Sequence, residues 1–99
     1  MKIDFTGIEW TDSAIGLRTK TFERDAKQIR LAEFSSDFRE IDWCDKNHIG
    51  YVVAGEIEID FEGETETFNP GDGIFIASKV KHKARAVTEN ALLFLIENV

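Results

Sequence analysis

The chain has 99 residues, a formal net charge of −7 and 42% hydrophobic residues, among them eight phenylalanines. That length holds one domain, residues 1–99, around one core, and the apolar fraction excludes a disordered chain. The acidic balance argues against nucleic acid, whose phosphates call for a basic patch.

No uncharged apolar run exceeds a few residues, so no membrane-spanning helix is expected. Met1-Lys2-Ile3-Asp4 lacks the apolar stretch and small-residue cleavage site of a signal peptide. A single cysteine cannot close an internal disulfide, which leads us to expect a reducing, cytoplasmic setting.

In chain order, residues 1–15 read as an opening segment, with Ile3, Phe5, Ile8 and Trp10 as core contributors and Thr11-Asp12-Ser13 as a turn. Leu17–Glu23 and Gln28–Phe34 read as two strands joined through Arg24-Asp25-Ala26-Lys27, a hairpin by composition. Ser35-Ser36-Asp37 interrupts the pattern and Phe38–Cys44 resumes it as a third strand. His48–Ala54 is apolar on both faces and is expected in the interior of a sheet. After Gly55, Ile57, Ile59 and Phe61 alternate with Glu56, Glu58, Asp60 and Glu62. Glu62-Gly63-Glu64 turns the chain into Thr65–Phe68, and Pro70-Gly71-Asp72 forms a second turn. Ile74–Ala77, His82–Val87 and Leu92–Ile96 complete the strands. No segment carries helical periodicity over three turns. Short strands at this spacing predict an all-β, antiparallel barrel or sandwich.

The residues with chemistry cluster in the middle of the chain. Asp42, Cys44 and His48 form a D-x-C-x3-H constellation. Residues two apart share a strand face, so Asp42 and Cys44 are expected to point the same way. His48 shares its parity with Gly50 and Val52, and His82 shares its own with the small Ala84 and Ala86. A carboxylate, a thiolate and two imidazoles could hold Zn, Fe, Ni or Cu as a divalent ion. The alternatives are a core histidine and a small buried cysteine, or a Cys44–His48 thiolate–imidazole pair for nucleophilic chemistry. The acidic run from Glu56 to Glu66 reads as a solvated face opposite Lys79, Lys81 and Lys83.

Asp42–Gly55 followed by Pro70–His82 resembles the two motifs of the cupin superfamily. That family's first motif sets His-x-His, three or four residues, Glu, six residues and Gly. This chain carries Asp42-x-Cys44, three residues, His48, six residues and Gly55, with Tyr51-Val52-Val53 as the aromatic–aliphatic run. The second motif is Gly, five residues, Pro-x-Gly, two residues, His, three residues and Asn. Gly71 and His82 match it, while Ala77, Lys79 and Ala86 stand for the Pro, the second Gly and the Asn.

The resemblance implies a single-domain antiparallel β-barrel or jelly roll, often dimeric, with metal ligands projecting into the barrel. Carried over by position, the ligands fall on Asp42, Cys44, His48 and His82, and His82 alone keeps the family's residue type. The expected function is therefore a metal-dependent protein acting on or binding a small polar metabolite. In it Asp42 is a fourth ligand or a base, and Trp43, Tyr51, Phe61 and Phe75 shape the pocket. The alternatives are a metal-free ligand-binding or sensing barrel and a dimeric structural protein. No residue is assigned as catalytic. Strands apolar on both faces offer more apolar surface than one interior can take up, so a homodimer is expected.

Overall fold

The computed structural model describes all 99 residues, Met1–Val99. The chain forms nine strands: β1 (Thr11–Ala14), β2 (Leu17–Arg24), β3 (Lys27–Phe34), β4 (His48–Ala54), β5 (Ile57–Phe61), β6 (Glu64–Phe68), β7 (Gly73–Ile76), β8 (His82–Ala86) and β9 (Ala91–Asn98). They form a large sheet in the order β1-β2-β3-β9-β4-β7 and a small one in the order β6-β5-β8. Every pairing is antiparallel. Ile57, Ile59 and Ala86 of the small sheet share one buried cluster with Ala32, Val52 and Leu93 of the large one. This is the antiparallel jelly-roll barrel the sequence predicts, and no helix in it is long and apolar enough to cross a membrane.

The hairpin between β2 and β3 closes where expected. Arg24 pairs with Lys27, and Asp25 and Ala26 both take positive φ (53° and 60°), the mirror-image turn that matches strand twist. β4 lies inside the large sheet, between β9 and β7. Its Gly50 is required by a close approach: a Cβ there would sit 2.4 Å from the Phe94 carbonyl oxygen and 2.6 Å from a Leu95 methyl.

Three sequence expectations are corrected. Thr11-Asp12-Ser13 is part of the edge strand β1 rather than a turn, pairing Thr11 with Thr19 and Asp12 with Arg18. All four β1 residues are exposed, so an edge strand that buries neither face needs no apolar alternation to form. Ile3, Phe5, Ile8 and Trp10 stay half-buried outside the core. Phe5 meets Phe94 edge-on at 6.4 Å, and the Arg18 guanidinium lies 4.5 Å from the Trp10 ring.

The third correction matters most for the site. Phe38–Cys44 is not a continuous strand but two isolated antiparallel bridges, Arg39 to Arg85 and Cys44 to His82. Four residues separate Arg39 from Cys44, whereas two separate His82 from Arg85. The surplus loops outward, leaving Ile41, Asp42 and Trp43 exposed.

On the small sheet the acidic residues of β5 do face cations, but Lys83 and Arg85 rather than Lys79 and Lys81. Asp60 lies opposite Lys83, and Glu58 holds Arg85 at 2.6 Å. Lys79 and Lys81 precede β8, in the loop.

Candidate metal centre

Three elements deliver the chemistry to one end of the barrel interior. Cys44 comes from the looped segment and is fixed by a reciprocal backbone pair with His82, at 2.8 and 2.9 Å. His82 opens β8 in the small sheet, and His48 opens β4 in the large sheet. The ligand atoms of Cys44, His48 and His82 all lie within 4.8 Å of one another. The two imidazole rings stand edge to face, with centroids 5.1 Å apart.

Each imidazole has its far nitrogen engaged. His82 Nδ1 lies 2.9 Å from the Val80 carbonyl oxygen, and that acceptor places the proton on Nδ1. His82 is 2% exposed, and its Nε2 has no hydrogen-bond partner. His48 Nδ1 lies 2.5 Å from Glu97 Oε2. An ionised carboxylate only accepts, so the Nδ1 proton points at Glu97, and in the neutral ring Nε2 keeps its lone pair.

Glu97 is buried. Its carboxylate also accepts from Arg30 at 2.7 Å and from Gln28 at 3.0 Å. Burial pushes this carboxyl up, but the His48 hydrogen bond and the Arg30 charge outweigh it and hold the pKa at about 2. All these groups line one cavity of about 840 Å³, walled by apolar side chains including Phe34, Ile57, Ile76 and Leu95.

The donor set fits a divalent transition ion. A thiolate and two imidazoles suit a borderline or soft metal, and three protein ligands leave coordination positions open. The orphaned His82 Nε2 is the structural sign of the fit, since an unpartnered buried polar atom costs about 1–3 kcal/mol.

Asp42 is not part of this group. It lies exposed in the bend of the looped segment, because the two surplus residues break the strand parity that would have aligned it with Cys44. The expected pocket aromatics are elsewhere too. Trp43 is exposed beneath the Lys83 ammonium, 4.5 Å away. Tyr51 and Phe75 point outward, 50% and 76% exposed, and do not line the cavity. Phe61 packs against the core beside His82, its pairing partner, without lining the cavity. Lys79, at the position of the motif's second glycine, has φ of 71°, so the backbone keeps the left-handed turn that favours glycine.

Sequence reading missed Glu97, Arg30 and Gln28. The signal was present as polar residues in phase with apolar ones. Glu97 follows Ala91, Leu93 and Leu95 on the inward face, and Arg30 and Gln28 follow the parity of Phe34 and Ala32.

Comparison with known proteins places these residues in a wider group. Residues 45–96 match the family profile described as the cupin domain. No curated protein matches the chain. KdgF from Halomonas sp. is similar in structure over 91% of this chain and 86% of its own, at 24% identity and a TM-score of 0.79. An RmlC-like cupin from Shewanella frigidimarina is similar over 95% of this chain and 86% of its own, at 20% identity and a TM-score of 0.78. An iron(II) form of HppE is similar over 98% of this chain but 59% of its own, at 14% identity and a TM-score of 0.76. Likenesses at these identities carry the fold.

Proposed function

The chain belongs to the cupin family, and on that premise we propose that it holds a divalent transition metal on Cys44, His48 and His82 and acts on a small polar metabolite inside the barrel. The observation that carries this reading is the buried, unpartnered Nε2 of His82, set among two further donors within 4.8 Å. Zn, Fe, Ni and Cu are the candidate ions. When bound, such an ion supplies Lewis acidity to a substrate oxygen or an acidified water.

The protein's own residues supply the rest. The Val80 carbonyl and the Glu97 carboxylate hold the proton of each neutral imidazole on Nδ1, which leaves Nε2 as the donor nitrogen. The Cys44–His82 backbone pair holds thiol and imidazole on facing chains. Apolar side chains wall the cavity around the donors, and Arg30 and Gln28 keep polar groups at its inner surface. The unpaired thiol of Cys44 suits a reducing compartment, in line with a cytoplasmic protein.

The test is metal analysis of untagged protein from metal-supplemented growth, with His82→Ala alongside. Close to one equivalent in the wild type and little in His82→Ala is expected. Unchanged stoichiometry in the variant, with only a loss of about 1–3 kcal/mol of stability, would mean a core histidine and would overturn the site. Absence of metal in the wild type would leave a metal-free binding barrel.

The partner is proposed to be a second copy of the chain. Cross-strand register sets Ile29 beside Ile96, Ile96 beside Ile49 and Ile49 beside Phe75 on the outer face of the large sheet. Phe75 is 76% exposed, and Ile49, Tyr51 and Val53 are about half exposed. A contiguous apolar face of this kind marks an association surface. Sedimentation should show a dimer that Phe75→Lys dissociates; a wild-type monomer at micromolar concentration would remove the proposal.

A further inference from the structure

Inward-facing residues of β3, β4 and β9 build a second layer behind the donors. In register Gln28 faces Glu97, and Arg30, two residues along β3, reaches Glu97 diagonally. His48 pairs with Ile76 on its other side, so its Nδ1 is free to turn toward β9. One carboxylate oxygen takes Gln28, and the other takes both Arg30 and His48.

A buried glutamate has few ways to be stable, and here three donors from two strands converge on it. It is not one of the donors that lie within 4.8 Å of one another, and it meets that group through His48. Where the family motif sets a glutamate among the ligands, this chain has His48, and a carboxylate stands one side chain further back.

We propose that Glu97 is the positioning residue of the metal centre, holding His48 in the Nδ1–H tautomer so that Nε2 is presented bare to the ion, with Arg30 and Gln28 fixing Glu97 in turn. Free imidazole carries its proton on either nitrogen, so without an obligate acceptor His48 would spend part of its time with a proton on its donor atom. A carboxylate behind a ligating histidine also raises the basicity of the ligand and fixes the ring plane. The same logic holds for His82, with the Val80 carbonyl as acceptor. The purpose of the device rests on the metal reading above; the tautomer itself does not.

The experiment uses the whole chain, stripped of metal, at a pH alkaline enough to keep both imidazoles neutral. Long-range ¹⁵N–¹H correlation spectra assign the ring nitrogens of His48. The wild type is expected to show Nδ1 protonated and Nε2 bare, and Glu97→Ala to shift His48 toward the Nε2–H form. Co²⁺ affinity, measured by competition with a chelator, is expected to fall about 10- to 100-fold in Glu97→Ala. Where that variant does not fold, because the Arg30 charge loses its partner, Glu97→Gln replaces it. The carboxamide keeps the shape without the charge, and its affinity should fall in the same direction.

A wild-type His48 with Nδ1 unprotonated overturns the proposal, as does wild-type Co²⁺ affinity in a folded Glu97 variant. If the wild type binds no metal while His48 is the Nδ1–H tautomer, the metal reading fails and the positioning of the ring stands.

Discussion

The two ends of β9 face the same interior from the same sheet, yet they do opposite things. At one end Ala91 and Leu93 join Ala32 and Val52 in the buried apolar core. At the other end Glu97 joins Gln28, Arg30 and His48 in a layer of charge and hydrogen bonds. The apolar end draws its stability from area removed from water, which tolerates imprecise geometry. The polar end has no such latitude, because each buried polar atom needs its own partner. One end of β9 is thus packed by apolar contact, and the other holds polar groups, one of which, His82 Nε2 across the cavity, has no partner in the protein.

The largest effect that would sharpen this contrast is Leu93→Ala at the apolar end. Deleting a buried leucine side chain should cost about 2–5 kcal/mol of stability. Metal content per folded chain should be unchanged, and denaturant unfolding with metal analysis on the same sample checks both. Loss of metal from folded Leu93→Ala would show that the two ends are not separable.

Next comes acid, which should act on the polar end. The Glu97 carboxyl is held below its ordinary value of 4.5, at about 2. Its contribution is therefore complete above the ordinary value and is lost as pH falls from about 4.5 toward about 2. Unfolding free energies measured across that window should fall by a few kcal/mol in the wild type and by less in Glu97→Gln. Equal slopes in the two proteins would show that His48 and Arg30 do not stabilise the carboxylate.

The smallest effect belongs to Asp42, which the structure places at neither end. Asp42→Ala should change stability by no more than about 0.5 kcal/mol, as exposed positions do, and should leave metal stoichiometry as it was. A measurable loss of metal would return Asp42 to the ligand set, and would mean that the looped segment folds inward when the ion binds.

Much of this molecule was legible residue by residue. Alternation in Ile57–Phe61 and the glycines after His48–Ala54 and before Gly73–Ile76 marked the strands and their turns. The motif spacing brought Cys44, His48 and His82 to one reading, and the structure sets them within 4.8 Å of one another. Parity along a strand is a local property of an extended chain, so it survives whatever the neighbours do. That is why the inward set of Ile57–Phe61 could be read without a partner, whereas in strands apolar on both faces Tyr51 and Phe75 were expected inside and lie outside.

Asp42 and Glu97 mark where local reading stops. Asp42 shares parity with Cys44 along the chain, but the bridge at Arg39 and the bridge at Cys44 differ in register, and the surplus residues between them leave the sheet. Glu97 shares parity with Leu93 and Leu95, yet nothing near it in sequence names its partner, His48, which is 49 residues away. The sequence alone determined the strands and the inward phase of His48, Ile57, Ile59 and His82. Pairing register, and with it the choice of partner for each inward polar group, depends on how distant strands pack against one another. Tertiary structure alone decided that Glu97 backs His48 while Asp42 faces solvent.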